Sequence, residues 1–211
     1  MFTRAELLSR LKSKEVCKKY GFTPETIPAM FIPNTYDFYW NTSADKFLDK
    51  MSEENKKFWN FERKEKAKQA GFTESEIVTL ASIVDEETDN EAEMPKIAGM
   101  YINRLHLNMP LQADPTVKFA TKNFTAHRIY QKWLTIDNPY NTYKYRGLPP
   151  GPIRIPSVAA IDAVLNYVHH DYIYMCAKED FSGTHNFAKT YEEHQKNAAK
   201  YAKALNEHGI N

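Results

Sequence analysis

The sequence from Thr73 to Glu87 reads TESEIVTLASIVDEE, and it predicts the helix around which the fold is organised. Thr73 followed by Glu76 forms a capping box, which is typical of a helix N-terminus. Side chains that share one face follow at helical spacing: Ile77, Leu80, Ala81, Val84 and Thr88. At about 100° per residue, Glu86 falls opposite this apolar face and Asp85 and Glu87 fall on its two flanks.

The end of this helix carries a cluster of acids, and two interpretations of it are open. The acids are Asp85, Glu86, Glu87, Asp89, Glu91 and Glu93. Such clusters usually just solvate a helix end. A carboxylate at a helix C-terminus beside apolar side chains, however, is disfavoured in its ionised form, so its pKa rises. A carboxylic acid that keeps its proton near neutral pH can act as a general acid.

The rest of the chain predicts a helix-rich α+β fold with short strands and long cleft-forming loops. Short strands are expected near residues 31–38 and 172–187, and the proline-rich segment 137–156 is expected to be a functional loop. We divide the chain into an N-terminal helical and extended segment, 1–70, and a catalytic domain, 71–211. The predicted helices are 4–20, 43–70 in one or two pieces, 73–88, 93–107, a short one after 119, 157–168 and 190–206.

Composition excludes several classes of function. With 28 Lys plus Arg against 27 Asp plus Glu among 211 residues, the net charge of +1 argues against nucleic acid as a partner. Neither a nucleotide-binding glycine loop nor a Gly-x-Ser-x-Gly elbow occurs, and the histidines lack zinc-ligand spacing, so we expect no cofactor and no metal. Cys17 and Cys176 leave one disulfide open. No apolar run reaches the roughly 18–20 residues of a transmembrane helix.

The predicted loops carry polar and aromatic side chains suited to a carbohydrate cleft. Amides, hydroxyls and carboxylates can bind sugar hydroxyl and N-acetyl groups, while aromatic rings cover the apolar sugar faces. The candidates are Gln112, Asp114, Thr116, Asn141, Thr142, Tyr143, Tyr145 and His185. The same residue types are also normal in turns, so composition alone leaves both interpretations open.

Six separate motifs resemble, in order, those of the endolytic murein transglycosylases, the MltG or YceG-like family. They are LASIVDEET (80–88), YINRL (101–105), MPLQADPTV (109–117), YNTY (140–143), GLPPGPI (147–153) and THNF (184–187). The segment FIPNTY (31–36) extends the resemblance upstream, so that it covers about residue 28 to the C-terminus.

The resemblance implies an enzyme that cuts inside nascent peptidoglycan glycan strands and leaves 1,6-anhydro-N-acetylmuramic acid ends. It also implies a catalytic domain that faces the periplasm and is held in the inner membrane by an N-terminal segment absent from this sequence. Cell-wall synthases would be possible protein partners.

The resemblance also assigns roles to residues. The family's catalytic glutamate lies in a Ser-Ile-Val-Glu-x-Glu motif, and here Asp85 stands in place of its first Glu, so we expect Glu87 to be catalytic. A second departure is Ala113, where many relatives carry Thr. The implied substrate-binding residues are Gln112, Asp114, Thr116, Asn141, Thr142, Tyr143, His185 and Phe187.

Two other functions remain open from the sequence. A hydrolytic muramidase would need a second carboxylate, for which Asp85 or Asp114 would serve. A non-catalytic peptidoglycan-binding module would keep the aromatic rings and amides but show no turnover.

Overall fold

The computed structural model describes residues 2–126 and 129–209, and it confirms the prediction of a helix-rich α+β fold. A short 3-10 helix, Ile27–Met30, follows the first two α-helices. The α-helices of the described ranges are α1 Arg4–Lys12, α2 Lys14–Lys19, α3 Ala44–Phe58, α4 Phe61–Gln69, α5 Glu74–Glu87, α6 Met94–His106, α7 Asp114–Thr121, α8 Gln131–Leu134, α9 Val158–Leu165 and α10 Tyr191–Glu207.

Helix α5 begins where its sequence predicts and forms the centre of the core. The Thr73 hydroxyl accepts a hydrogen bond from the Glu76 amide (3.3 Å), and the Glu76 carboxylate accepts one from the Thr73 amide (2.8 Å). The structure buries every residue from Ile77 to Val84, not just one face. The polar Ser82 is satisfied in this position because its hydroxyl accepts a hydrogen bond from the Ile153 amide (3.0 Å). Helices α6, α7 and α9 pack against α5 and explain this complete burial.

Two short strands form one antiparallel hairpin near the C-terminus. Strand β1 is Tyr174–Ala177 and strand β2 is His185–Ala188, with Tyr174 opposite Ala188 and Ala177 opposite His185. These bounds match the region near 172–187 in which the sequence predicts strand structure, with β2 extending one residue beyond it. Helix α10 packs against the hairpin and begins with a capping box at Thr190.

The N-terminal region differs from the prediction in two ways. The helix predicted over 4–20 is divided at Ser13, whose hydroxyl caps α2 by accepting a hydrogen bond from the Val16 amide (3.3 Å). The strand predicted near 31–38 is absent, because no neighbouring strand is available to pair with this segment among the described residues. Instead, its aromatic side chains cover a small apolar cluster formed by Cys17, Ile27, Met30, Leu48 and Met51.

The two predicted loops are also partly revised. Helix α7 begins at Asp114, inside the loop predicted over 109–119, because Pro115 is favourable in the first turn of a helix. The predicted loop 137–156 indeed contains neither helix nor strand.

The N-terminal third is joined to the main core. Trp59 and Ala67 belong to the same buried cluster as α5. Arg63 on α4 forms two hydrogen bonds of 3.0 Å each to the Asp162 carboxylate on α9. A Cβ atom at Gly151 would lie 2.0 Å from the Glu25 carbonyl oxygen, so only glycine permits this contact. The division at residue 70 stays a prediction. No helix in the described ranges is long and apolar enough to span a bilayer.

Candidate active site

A cavity of about 390 Å³ opens beside the C-terminal end of α5. Its wall is built from α6, the segment before α7, the hairpin and the start of α10. The side chains that line it include Glu87, Tyr101, Arg104, Gln112, Asp114, Tyr143, Tyr174, His185, Tyr191 and His194. The cavity therefore brings together residues that are more than 100 positions apart in the sequence.

Glu87 is the last residue of α5 and is partly buried at this cavity. Its Oε1 atom accepts a hydrogen bond of 2.5 Å from the Tyr101 hydroxyl. Burial raises the pKa of Glu87 above its ordinary value of 4.5, and the charge of Asp114 adds to this increase, whereas the Tyr101 hydrogen bond opposes it. Glu87 thus has the property of a general acid that keeps its proton at higher pH than an ordinary glutamate.

The two neighbouring acids have partners within the protein. Asp85, with a side chain only 8% exposed, accepts hydrogen bonds from the Ser157 hydroxyl (2.6 Å) and amide (3.3 Å). Its Oδ2 atom also lies 3.3 Å from Nε of Arg154. Glu86 is exposed and pairs with Nη1 of the same arginine at 2.9 Å. Asp85 therefore fixes the start of α9, and both of its oxygens are occupied.

Three of the predicted binding residues lie on the cavity wall close to Glu87. Gln112 and Asp114 are exposed, and Tyr143 donates a hydrogen bond of 2.6 Å from its hydroxyl to Asp114. Gln112 has a positive φ of 52°, a backbone conformation that side-chain-bearing residues rarely adopt. Asp114 is the carboxylate available to a hydrolytic mechanism, since it shares the cavity with Glu87.

Three other predicted binding residues, Thr116, Asn141 and Thr142, do not line the cavity. All three are 0–1% exposed. The Thr142 hydroxyl accepts a hydrogen bond from the Ala113 amide (3.0 Å) and lies 2.8 Å from the Thr116 hydroxyl. The Asn141 amide donates to three carbonyl oxygens of the segment 133–136. The expectation that these three side chains contact the sugar directly is corrected here, because they are buried. Their hydrogen bonds hold the cavity-lining segments together instead.

The two predicted residues on β2 are placed differently from each other. His185 lines the cavity, and Glu93 fixes it by accepting hydrogen bonds from its backbone amide (2.8 Å) and from Nδ1 (2.9 Å). Phe187 is not part of the cavity lining. Its ring packs against Tyr172 at a centroid distance of 5.8 Å and lies 4.3 Å from Nζ of Lys96.

Sequence reasoning missed several cavity residues. Tyr101 and Arg104 were visible within a motif, and their spacing of three predicts that they share a face of α6. The other missed residues are Tyr174, Tyr191 and His194. Only the hairpin and α10 bring these three to the cavity, so local sequence patterns carry no signal for them.

A second cavity, of about 420 Å³, also has Glu87 in its lining. It is lined by the residues from Asp85 to Asn90 together with Ser182 and Gly183. Glu87 is therefore shared by two adjacent open spaces. A larger cavity, of about 510 Å³, lies between α3, α4 and the start of α5, away from Glu87.

No group of three side chains able to hold a metal ion occurs in the described ranges. The chemistry that the site offers is that of one carboxylic acid with a raised pKa. It shares the cavity with one amide, four phenols, two imidazoles, a guanidinium and the Asp114 carboxylate. Such a site can protonate a leaving oxygen and then accept a proton.

Comparison with known proteins shows consistent similarity. The chain is 37% identical over 176 residues to the endolytic murein transglycosylase of Bacillus subtilis (strain 168), covering 83% of this chain and 48% of that protein. It is 30% identical over 202 residues to the protein of the same name from Streptococcus pneumoniae (strain ATCC BAA-255 / R6), covering 92% and 35%. The chain thus spans about half or less of the length of these relatives.

A crystal structure gives the same result for the fold. A yceG-like protein from Listeria monocytogenes superposes with a TM-score of 0.77 at 29% sequence identity, covering 92% of this chain and 67% of that one. The model of the YceG-like family matches residues 1–200. The match includes the first 27 residues, which the motif resemblance left out, and it establishes that the chain belongs to the YceG-like family.

Proposed function

We propose that this chain is the catalytic part of an endolytic lytic transglycosylase that cleaves peptidoglycan glycan strands. The bond cleaved is the glycosidic bond between N-acetylmuramic acid and N-acetylglucosamine, and the product ends in 1,6-anhydro-N-acetylmuramic acid. The observation that carries the proposal is Glu87, a single acid with a raised pKa at a cavity wall. The names of the relatives from Bacillus subtilis and Streptococcus pneumoniae support the same activity.

The reaction needs only one carboxyl group. Glu87 donates its proton to the glycosidic oxygen while the bond from that oxygen to C1 of muramic acid breaks. The C6 hydroxyl of the same sugar then forms a bond to C1, and the Glu87 carboxylate accepts the hydroxyl proton. No water is consumed, and the attacking oxygen benefits from the high effective molarity of an intramolecular nucleophile.

Tyr101 has a positioning role in this scheme. Its hydroxyl donates to Oε1 of Glu87, so Oε2 is the oxygen left to carry the transferable proton. The same hydrogen bond stabilises the carboxylate that forms once the proton has left. We expect Gln112, Asp114, Tyr143 and His185 to bind the sugar, because these side chains share the cavity with Glu87.

The contact of Glu87 with two cavities supports cleavage within a strand. A glycan chain that passes the acid needs open space on both sides of the cleaved bond. The cavities of about 390 and 420 Å³ that meet at Glu87 provide such space. An enzyme restricted to chain ends would need a closed wall on one side.

The cellular setting is also a proposal. We propose that the whole protein acts at the cell wall, with this part facing the periplasm and with an anchor in the inner membrane supplied by a segment outside this sequence. Peptidoglycan strands are the proposed substrate, and cell-wall synthases are the proposed protein partners.

The experiment that tests the function is digestion of purified peptidoglycan by the chain and by Glu87→Gln, followed by mass spectrometry. The expected result is internal fragments with anhydromuramic ends from the parent and none from the variant. Glu86→Gln is the matched control, because it removes an adjacent exposed carboxylate that pairs with Arg154. This control should keep its turnover.

Other outcomes would replace the proposal. Products heavier by the elements of water, about 18 daltons, would identify a hydrolase, and loss of activity in Asp114→Asn would then identify the second carboxylate. Glycan binding without turnover by the parent would identify a binding module.

A further inference from the structure

Arg104 is a buried cation on the cavity wall, and its Nε and Nη1 atoms make four contacts with neutral acceptors. The residue is 7% exposed. Its Nε atom donates to the Ile173 carbonyl (2.6 Å), and Nη1 donates to the carbonyls of Pro110 (3.1 Å) and Leu111 (2.8 Å) and lies 3.3 Å from Oε1 of Gln112. All these acceptors are neutral.

Within residues 2–126 and 129–209, Arg104 has no acidic partner and Nη2 has no hydrogen-bond acceptor. The ionisable groups beside its guanidinium are the phenols of Tyr101, Tyr174 and Tyr143, which carry no charge near neutral pH. The two nearby cavity carboxylates accept hydrogen bonds from two of these phenols instead. Because a buried charge is costly without a counter-charge, the cavity is prepared for an anion that the described chain does not itself supply.

His194 adds a second unsatisfied group to the same wall. Its Nδ1 atom is buried and has no partner in the described part of the chain, so Nε2 is the ring nitrogen that faces the cavity. The ring stacks on Tyr174 at a centroid distance of 5.3 Å and an interplanar angle of 22°. Burial lowers the pKa of His194, and the charge of Arg104 lowers it further, which favours the neutral imidazole with its one N–H donor.

We infer that Arg104 and His194 form a subsite for a carboxylate group of the substrate, in the cavity beside Glu87. The inference rests on the proposed function and names the part of the glycan that this end of the cavity recognises. The free Nη2 of Arg104 and an N–H on Nε2 of His194 can each donate to one oxygen of a carboxylate. Tyr174 and Tyr191 provide aromatic surface next to it. Neutral sugar hydroxyls would leave the Arg104 charge uncompensated.

Peptidoglycan offers this carboxylate from two sources. Strands without peptides carry the lactyl carboxylate of muramic acid, and strands with peptides carry the acidic groups of those peptides. The shared chemistry is a carboxylate carried by muramic acid, either directly on its lactyl group or through the attached peptide, so the test must contain both sources.

The test measures binding of four probes to Glu87→Gln by calorimetry, so that no probe is cut. Two probes are the N-acetylglucosamine–N-acetylmuramic acid disaccharide with a free lactyl carboxylate and the same compound as its methyl ester. The other two are the disaccharide peptide with free carboxylates and with all carboxylates amidated. In one of the two pairs, we expect the ester or amide to bind about tenfold more weakly than the matching free carboxylate. A hydrogen bond to a charged group contributes that much.

Variants on the same Glu87→Gln background assign this preference to the subsite. Arg104→Gln and His194→Gln should each bring the dissociation constant of the neutralised probe closer to that of the matching free carboxylate, so that their ratio approaches one. Arg146→Gln is the matched control, since Arg146 is exposed and donates to the Asn108 carbonyl, outside the subsite. This variant should keep the full ratio. If Arg104→Gln does not fold, as shown by circular dichroism, His194→Gln decides the outcome.

Equal binding of acid and neutral probes, absence of binding by all four, or an undiminished ratio in both subsite variants would each overturn the inference. A separate experiment, digestion of peptidoglycan by the parent chain, tests the proposed function. Cleavage with anhydromuramic products but without carboxylate preference would leave the function intact and remove only the subsite. Carboxylate preference without any cleavage would remove the function and keep the binding site.

Discussion

The Tyr101 hydroxyl donates a 2.5 Å hydrogen bond to Oε1 of Glu87, and it links the last residue of α5 to the middle of α6. This bond favours the carboxylate, while burial favours the protonated acid. The pKa of Glu87 is therefore the outcome of two opposed effects, and burial is the larger. Removing either partner should change the pH at which the site works.

Tyr101→Phe should raise the pKa of Glu87 further, because it removes the contact that opposes burial. The alkaline limb of the pH–rate profile should move to higher pH, and kcat should fall about tenfold because the carboxylate formed during reaction loses a hydrogen bond. The measurement is the initial rate of glycan cleavage between pH 4 and 9. Tyr172→Phe, outside the cavity, is the control, and an unchanged alkaline limb in Tyr101→Phe would contradict the prediction.

Glu87→Gln should stabilise the protein at neutral pH. The folded-state pKa of Glu87 lies above its ordinary value of 4.5, so the buried carboxylate costs stability above the folded pKa and costs nothing below about 4.5. The variant avoids this cost, and Oε1 of Gln can still accept the Tyr101 hydrogen bond. Each kcal/mol gained should raise Tm by about 2–4 °C for a chain of this size.

Calorimetric scans at a series of pH values measure this difference in Tm. It should be greatest at pH 7 and disappear as the pH falls through the raised pKa toward 4.5. A gain that is the same at every pH would show that the stabilisation has another origin.

Asp85→Asn should lower stability rather than turnover. The Asp85 carboxylate holds Ser157 and Arg154, and an amide can accept with only one oxygen. We expect the free energy of unfolding to fall by about 1–3 kcal/mol, measured in urea, with kcat of the folded protein nearly unchanged. Glu86→Gln, on the exposed face, should change stability by no more than about 0.5 kcal/mol. Loss of turnover as severe as in Glu87→Gln would instead make Asp85 the second carboxylate of a muramidase.

Thr142→Val should destabilise the cavity wall without changing its surface. Valine has nearly the shape of threonine but leaves the Ala113 amide and the Thr116 hydroxyl without their Thr142 partner. We expect a loss of about 1–3 kcal/mol in the free energy of unfolding, together with a higher KM because Gln112 and Asp114 are held less firmly. The control is Thr135→Val, at an exposed position. Equal stability of the two variants would show that the buried hydroxyl pair contributes nothing.

The central helix and the acid at its end could be predicted from the sequence because both depend on local patterns. The capping box at Thr73 fixes where α5 begins, and helical spacing then separates Glu87 from Glu86. The choice between Asp85 and Glu87 came from the resemblance to a family. The structure shows its physical basis: Asp85 is occupied by Ser157, whereas Glu87 faces the cavity.

Other parts of the site depend on contacts between distant segments and could not be predicted locally. Thr116 and Thr142 have the residue types of a sugar-binding surface, yet they contact each other in the interior. The residue type does not reveal whether a hydroxyl faces the cavity or the protein interior. Similarly, the aromatic residues at 31–38 favour a strand, but a strand needs a partner, and pairing is a property of the whole fold.

The contacts between Arg63 and Asp162 and between Glu25 and Gly151 have a consequence for biosynthesis. A ribosome produces the chain from its N-terminus, so α4 exists long before its partner α9 has been translated. Until residues 151–162 leave the exit tunnel, the apolar surfaces of Trp59 and Ala67 lack part of their cover. The nascent chain therefore completes its core late, and part of the apolar surface of its first third stays uncovered during that interval.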